Sequence, residues 1–181
     1  MLQIRIQGRG GQGAQMAGQL LATAFFREGK YIQSFASYGG ARRGTPVSAF
    51  LRVDDKPINL RCDIEEPDAL LCFDSSLLDK ALLKGATSRT RIMVNSSKSP
   101  DDFQHLGAFH IVTVDAKKIA RHNNLGRIVN SALIGAFAAL LEAPAIESLL
   151  AVVKEMSPAK AEENVASCRD GYDLIKKEGG V

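Results

Sequence analysis

The first part of the chain shows the period of a strand, then a helix, then a second strand. Apolar and polar residues alternate over residues 2–6, which is the two-residue period of a strand. Residues 14–28 are rich in Ala, Leu and Gln and are followed by Gly29, so the pattern predicts a helix that ends at a glycine. Residues 31–37 are predicted to form a second strand.

The middle of the chain adds a predicted hairpin and a buried strand. The alternation returns over residues 47–53 and breaks at the turn sequence DDKP, which predicts an antiparallel hairpin with residues 58–61. Residues 69–74 form a continuous apolar run, which is typical of a strand buried on both faces. A helix is predicted to follow, from residue 75 or 76 to residue 83.

The remainder of the chain is predicted to contain two strands, at residues 91–94 and 110–114, followed by a helical C-terminal third. Two apolar faces repeat there at helical spacing. The first comprises Val129, Leu133, Ala136, Phe137, Leu140 and Leu141, and the second comprises Ala161, Val165, Cys168, Tyr172 and Ile175. Because strands alternate with helices, residues 1–181 are predicted to form one α/β domain with a mainly parallel sheet and a hairpin insertion.

Charge is distributed unevenly along the chain. The net charge is +3, but the first 60 residues hold eight Lys and Arg against three Asp and Glu. The first third therefore favours an anionic partner such as phosphate. Nucleic acid is not expected, because no RNA- or DNA-binding motif accompanies the charge. The apolar C-terminal faces further predict burial against partner subunits and self-association of the isolated chain.

Several classes of protein are disfavoured. The most apolar window, residues 128–141, is shorter than a membrane span, and Met1 begins a strand-like segment instead of a signal peptide. We therefore expect a cytoplasmic protein without a membrane partner. The three cysteines include no C-x-x-C pair, so neither a zinc site nor an iron–sulfur cluster is predicted. No catalytic acid/base pair is recognised, because the acidic pairs 54–55 and 65–66 are adjacent in sequence.

The segment GRGGQG, from Gly8 to Gly13, follows the first strand in the spacing G-x-G-x-x-G. Such a loop allows backbone N–H groups at a helix start to approach a phosphate. A dinucleotide site needs an acidic residue at the end of the second strand, but this chain has SFASYGG there. A P-loop is excluded, because no G-K-[ST] follows. The missing acid disfavours NAD or FAD, the ligands of an independent NAD-binding protein. The loop is therefore predicted to bind another phosphate compound, or its glycines only allow the helix to pack closely on the sheet.

Arg42 and Arg43 lie in the loop after the second strand, between glycines. In a parallel sheet this loop opens at the same carboxyl edge as the glycine loop. Two arginines there are suited to forked hydrogen bonds with phosphate oxygens. The alternative is a solvated turn or a contact with another subunit, because arginine is also enriched at interfaces.

Several ordered segments together resemble a known family. GRGGQGAQMAGQLLATAFFREGKYIQSFASYGGARRGTPVSAFLRVDDKPI, the downstream GRIVNSALIGAFAALL and the final AEENVASCRDGYDLI are similar to the gamma subunit of 2-oxoacid:ferredoxin oxidoreductases, the pyruvate type in particular. The resemblance covers nearly the whole chain and implies a three-layer, Rossmann-like α/β domain. It implies a complex that oxidatively decarboxylates a 2-oxoacid, forms an acyl-coenzyme A and reduces ferredoxin.

The resemblance assigns thiamine diphosphate and the iron–sulfur clusters to partner subunits of alpha, beta and delta type, so the isolated chain is expected to be inactive. In the fused single-chain enzymes the corresponding domain is implicated in binding coenzyme A. Carried onto this sequence, the implied contacts are Gly8, Arg9, Gly10, Gly11, Gln12, Gly13, Arg42 and Arg43. The fused enzymes carry a lysine in the helix after the loop, where this chain has AQMAGQ, so that contact is missing here or is supplied by Arg9 or another chain. The alternative to coenzyme A binding is a purely structural subunit that docks on the other chains. As to the substrate, the segment FASYGGARRGTPVSAF looks closer to the pyruvate and branched-chain types of the family than to the 2-oxoglutarate type.

Overall fold

The computed structural model describes residues 1–38 and 44–178, which form one mixed sheet with helices packed against it. The strands are β1 (Leu2–Arg9), β2 (Tyr31–Tyr38), β3 (Pro46–Asp54), β4 (Ala69–Cys72), β5 (Arg91–Asn95) and β6 (Ile111–Val114). The α-helices are α1 (Ala14–Arg27), α2 (Ala116–His122), α3 (Asn130–Leu141), α4 (Ile146–Met156) and α5 (Ala161–Glu178).

The strands lie in the order β2–β3–β1–β4–β5–β6. Strands β1, β4, β5 and β6 are parallel to one another, whereas β3 is antiparallel to β1 and β2 is antiparallel to β3. The predicted α/β class with a mainly parallel sheet is confirmed. Because β2 and β1 point the same way, β2 ends at the same edge of the sheet as β1.

The hairpin partner predicted for the third strand is wrong. Residues 58–61 form no strand, and β3 pairs instead with β2 on one side and β1 on the other. Leu51, for example, lies opposite Ile4 of β1 and opposite Ser34 of β2. Both edges of β3 are therefore occupied, so neither remains available to residues 58–61. The hairpin lies one element earlier in the chain, between β2 and β3.

The helix predicted from residue 75 or 76 to residue 83 is also wrong. A short 3₁₀ helix covers Ser75–Leu77, and turns follow it. The Asp79 carboxylate accepts a hydrogen bond from the Leu82 N–H at 2.7 Å, and Arg5 Nη1 donates to the Leu82 carbonyl at 3.1 Å. Both backbone groups of Leu82 are thus bonded to side chains, which compete with α-helical hydrogen bonds.

The α-helices contribute to a core on one face of the sheet, where Ile4 and Leu71 are fully buried. On the opposite face, β4, β5 and β6 are covered by the 3₁₀ helices Ser75–Leu77 and Pro100–Leu106, which enclose a smaller core around Leu70. The second outer layer of the predicted three-layer domain thus consists of 3₁₀ helices and turns.

Helices α3 and α5 pack so closely that glycine is required on each. A Cβ atom at Gly135 would lie 1.9 Å from the carbonyl oxygen of Cys168, and one at Gly171 would lie 2.1 Å from that of Ala132. Most of α3 is buried. The apolar face from which self-association was predicted is therefore used inside the chain. No helix among residues 1–38 and 44–178 is long and apolar enough to cross a membrane.

Candidate functional site

The glycine loop joins the end of β1 to the start of α1. Gly11 and Gly13 have φ angles of 92° and 91°, a left-handed conformation that glycine adopts without steric cost. Gly8 is required for close packing, because a Cβ atom there would lie 3.0 Å from the Ala14 Cβ and 3.2 Å from the Phe73 Cβ. Gly8 therefore has the packing role considered for these glycines. Gly11 and Gly13 instead allow the turn of the loop and leave its backbone there uncovered by side chains.

Gly10 fastens the loop to the segment that precedes β3. Its N–H donates to the Thr45 carbonyl at 2.9 Å, and its carbonyl accepts from the Gly44 N–H at 3.3 Å. The connection between β2 and β3 therefore returns to the sheet against the glycine loop, at the carboxyl edge where it was expected. Arg42 and Arg43 lie outside the described residues.

Arg9 and Asp74 form an ion pair that joins the glycine loop to the end of β4. Arg9 Nε lies 3.1 Å from Asp74 Oδ2, and the other guanidinium nitrogens donate to Ser76 Oγ at 2.9 Å and the Gly44 carbonyl at 3.3 Å. Gln12 Nε2 donates to the same carboxylate at 3.1 Å. Burial alone would raise the pKa of the Asp74 carboxyl, but the hydrogen bonds it accepts, those from Ser76 foremost, hold its pKa below the ordinary value. The Arg9 guanidinium is thus committed to protein groups.

A cleft of about 630 Å³ opens beside this loop, at the carboxyl edge of the parallel strands. Its walls include residues 11–13 of the loop, residues 73–75 after β4, Asn95 at the end of β5, residues 127–131 at the start of α3, and residues 156–159, which run from the last residue of α4 toward α5. The volume lies within the range of about 300–1,000 Å³ that is usual for small-molecule sites.

Two helices begin at the cleft without a side-chain cap. The residue before α1 is Gly13 and the residue before α3 is Val129, and neither helix start has a hydrogen bond from a capping side chain. The first N–H groups of a helix lack partners within the helix and carry the positive end of its dipole. Both ends therefore attract an anion, and α1 and α3 meet at one cavity.

Two cations line the same cleft. Lys117 lies in the first turn of α2 and Arg127 precedes α3, and both side chains are exposed. Within residues 1–38 and 44–178 neither side chain has a hydrogen bond or an ion pair. They are available to a ligand, and like the two helix ends they favour a negatively charged one.

Buried asparagines hold the walls of the cleft in place. Asn95 donates to the Phe73 carbonyl at 3.1 Å and accepts from the Ala116 N–H at 3.2 Å, which fixes the start of α2 against β4 and β5. Asn164 accepts from the Ser131 hydroxyl at 2.6 Å and so ties α5 to the first turn of α3. The cleft is therefore largely formed without a ligand.

The structure separates the sequence-predicted residues into two groups. Gly11, Gln12 and Gly13 line the cleft, whereas Gly8, Arg9 and Gly10 support the loop from the side of the sheet. Sequence reasoning missed Lys117 and Arg127. A signal existed for each: Lys117 follows the last predicted strand and so lies at the carboxyl edge of the sheet, and Arg127 belongs to the family-like segment GRIVNSALIGAFAALL.

The fold and the cleft define an α/β domain with a cationic cavity at the carboxyl edge of its parallel strands. Comparison with known proteins then identifies the family. The family model described as pyruvate ferredoxin/flavodoxin oxidoreductase matches residues 3–174. Among curated proteins, the pyruvate synthase subunit PorC of Methanothermobacter thermautotrophicus is 41% identical over 180 residues, covering 98% of this chain and 97% of the relative.

Solved structures agree with this assignment. The pyruvate oxidoreductase subunit PORC of Thermotoga maritima superposes with a TM-score of 0.85 at 32% identity, covering 95% of each chain. The 2-oxoglutarate:ferredoxin oxidoreductase of Magnetococcus marinus, solved with 2-oxoglutarate, coenzyme A and succinyl-CoA bound, has a TM-score of 0.75 at 20% identity, covering 97% of this chain and 30% of that longer chain. The second match shows the fold alone. The chain belongs to the pyruvate ferredoxin/flavodoxin oxidoreductase family as a gamma-type subunit, which confirms the resemblance seen in the sequence.

Proposed function

We propose that this chain works in a complex that oxidatively decarboxylates pyruvate to acetyl-coenzyme A and passes the electrons to ferredoxin. In this proposal, thiamine diphosphate and the iron–sulfur clusters are held by partner subunits of alpha, beta and delta type. Support for pyruvate comes from relatives named as subunits of pyruvate synthase and pyruvate oxidoreductase. The alternative substrates are branched-chain 2-oxoacids and 2-oxoglutarate.

The chain's own contribution in this proposal is to bind the phosphate-bearing part of coenzyme A in the cleft. One observation carries it: two helix starts without a side-chain cap, at Gly13 and Val129, line one cavity with Lys117 and Arg127, two cations that have no partner among the described residues. Coenzyme A carries a diphosphate and a separate phosphate, so a cleft with several anion-binding elements matches its charge distribution. The coenzyme A present in the Magnetococcus marinus structure supports the choice of ligand.

The sequence-predicted loops take different parts in this arrangement. The backbone N–H groups of Gly11 and Gly13 contact one phosphate, since the Gln12 N–H already donates to the Arg9 carbonyl at 2.9 Å. Arg9 acts as a positioning residue through its ion pair with Asp74. Arg42 and Arg43 are proposed as further phosphate contacts. Gly44, which follows these arginines, is bonded to the glycine loop, so the connection that carries them ends beside the proposed site.

The assembled enzyme provides the test, through a coenzyme A titration with pyruvate and ferredoxin in excess. The variants are Lys117→Ala, Arg127→Ala and the double change Arg42→Ala with Arg43→Ala. A charge-assisted hydrogen bond contributes about 1.5–3 kcal/mol. Each lost contact should therefore raise the KM for coenzyme A by about tenfold or more.

A matched control removes a cation at the opposite edge of the sheet. Arg89 is exposed and lies just before β5, so Arg89→Ala should leave the KM for coenzyme A unchanged. Reduction of the enzyme by pyruvate in the absence of coenzyme A should also be unchanged in every variant. If that half-reaction fails together with coenzyme A saturation, the basic residues hold the complex together and the chain is a docking subunit. An unaltered KM in all variants would place coenzyme A elsewhere.

A further inference from the structure

Strand β2 is the terminal strand of the sheet formed by the described residues, and one of its edges has no neighbouring strand. Its sequence YIQSFASY contains no charged residue, proline or glycine over eight residues. Soluble proteins protect exposed edges with charges, prolines, bulges or very short strands. At the opposite edge β6 has only four residues and contacts the 3₁₀ helix Pro100–Leu106. The contrast indicates that β2 is an edge built for pairing.

Apolar side chains are exposed around this edge. Phe26 at the end of α1 is 70% exposed, and Tyr38 and Tyr31 at the two ends of β2 are 55% and 49% exposed. Leu60, also exposed, is held beside the strand because Gln33 donates to its carbonyl. Exposed apolar side chains of this kind favour contact with another protein surface.

A groove of about 420 Å³ runs along β2 between this strand and α1. Gln15 and Gln19 line it from the helix, and Ser34 and Ala36 line it from the strand. An added strand would place alternate side chains into such a groove while its backbone completes the sheet. The groove therefore suits an extended segment with small or uncharged side chains.

We propose that the occupant is β2 of a second copy of this chain, paired antiparallel about a two-fold axis at Phe35. In this register Phe35 of one copy lies opposite Phe35 of the other, Ile32 lies opposite Tyr38, and Gln33 lies opposite Ser37. These three pairs match an apolar residue with an apolar one or a polar residue with a polar one, and the remaining pair between residues 32 and 38, Ser34 opposite Ala36, brings together two small side chains. The register also keeps paired residues on the same face of the sheet, as antiparallel strands require.

Phe35 already stacks on Phe50 of β3, with ring centroids 5.0 Å apart. The two-fold axis would bring two such stacks together across the interface and extend the aromatic cluster through both sheets. Since β2 has no charge, a second copy meets no repulsion there, and the strand offers no charged group that would select a different partner. These features favour the self-pairing, which does not depend on where coenzyme A binds.

Two experiments on the full chain test this proposal: the molar mass measured by light scattering, and disulfide cross-linking of engineered cysteines. The wild type should have twice the mass of one chain, and Ser34→Lys, which adds a charge to the exposed edge, should return it to the mass of one chain. In a Cys62→Ser background, Phe35→Cys should cross-link under mild oxidation, because residues at the two-fold axis lie about 4.5–5.5 Å apart between Cα atoms, within reach of a disulfide. Ser37→Cys is the matched control on the same face, since those positions would lie about 14 Å apart.

A wild-type chain that stays monomeric at all concentrations would overturn the proposal. So would a Ser34→Lys variant that remains dimeric, because the dimer would then use another surface. Equal cross-linking of Phe35→Cys and Ser37→Cys would contradict the two-fold register and show that the contact is unspecific.

Discussion

The close approach of α3 and α5 leads to a quantitative prediction for Gly135→Ala. Real Cβ atoms stay at least 3.0 Å from such neighbours, whereas a Cβ atom at Gly135 would lie 1.9 Å from the Cys168 carbonyl oxygen. That oxygen belongs to the backbone of α5, so it cannot move without the helix. The two helices would have to separate by about 1 Å, which forfeits a quarter to a half of the dispersion energy of the contacts between them.

We expect Gly135→Ala to lower the free energy of unfolding by about 3 kcal/mol or more, at the upper end of the cost of overpacking a core. For a chain of this length that corresponds to a fall in Tm of roughly 6–12 °C. Urea unfolding followed by circular dichroism would measure the first quantity, and thermal unfolding the second.

Gly18→Ala is the matched control for this prediction. Gly18 is also a buried helical glycine, but a Cβ atom there would meet its nearest neighbour, the Ala49 Cβ, at an ordinary 3.5 Å. Alanine is favoured over glycine inside a helix by about 0.5–1 kcal/mol, so this variant should be as stable as the wild type or slightly more stable. If Gly135→Ala and Gly18→Ala were equally stable, the reasoning from helix contact would be refuted.

Three further predictions concern single polar or ionisable side chains. Arg52 is 1% exposed and donates hydrogen bonds to the Gln3 side chain at 3.1 Å and the Gln33 side chain at 2.6 Å, so Arg52→Met should lower the free energy of unfolding by about 3 kcal/mol. An unchanged midpoint of urea unfolding would contradict the value given to these bonds. Ellman's reagent should modify Cys62 in the native protein but Cys72 and Cys168 only after unfolding, because burial raises the pKa of each of these two thiols to about 12. Rapid modification of more than one thiol in the native protein would contradict this. Asp74→Asn should lower the free energy of unfolding at pH 7, because a carboxyl with a lowered pKa stabilises the fold only while it is ionised. The difference in free energy of unfolding between the variant and the wild type should shrink as the pH falls below about 3.9. A difference that does not depend on pH would show that the ion pair is not its source.

Sequence patterns predicted correctly those helices and strands whose signals lie within the element itself or in the residues next to it. The helix predicted over residues 14–28 is α1, which ends next to Gly29, and the continuous apolar run at residues 69–74 contains β4. Both signals arise from the residues of the element itself: a glycine that adopts positive φ after a helix, and a strand that is apolar on both faces.

The failures concern interactions between distant parts of the chain. Residues 58–61 have a sequence compatible with a strand, but β1 and β2 already occupy both edges of β3. The turn around Leu82 depends on Arg5, which lies 77 positions earlier. No local pattern reveals either arrangement, because each depends on which strands become neighbours in the sheet.

The candidate site divides in the same way. The glycine loop has a recognisable spacing, because a tight turn and a close packing contact need glycine at fixed positions. Lys117 belongs to no motif, and Arg127 lies in the family-like segment GRIVNSALIGAFAALL, which has no spacing typical of a phosphate site. Both residues meet the loop only because α2 and α3 start at the carboxyl edge of the sheet. The ion pair between Arg9 and Asp74 likewise joins two strands that are neighbours in space and 65 positions apart in sequence.

The most direct test of the proposed function is the structure of the assembled enzyme with coenzyme A, determined by crystallography or cryo-electron microscopy. We predict that phosphate groups of coenzyme A lie within hydrogen-bond distance, about 2.7–3.2 Å, of the backbone N–H groups of Gly11 and Gly13 and of those at the start of α3. The Lys117 and Arg127 side chains should contact the same phosphates. Coenzyme A bound in another subunit, with this cleft covered by a partner chain, would contradict the proposal.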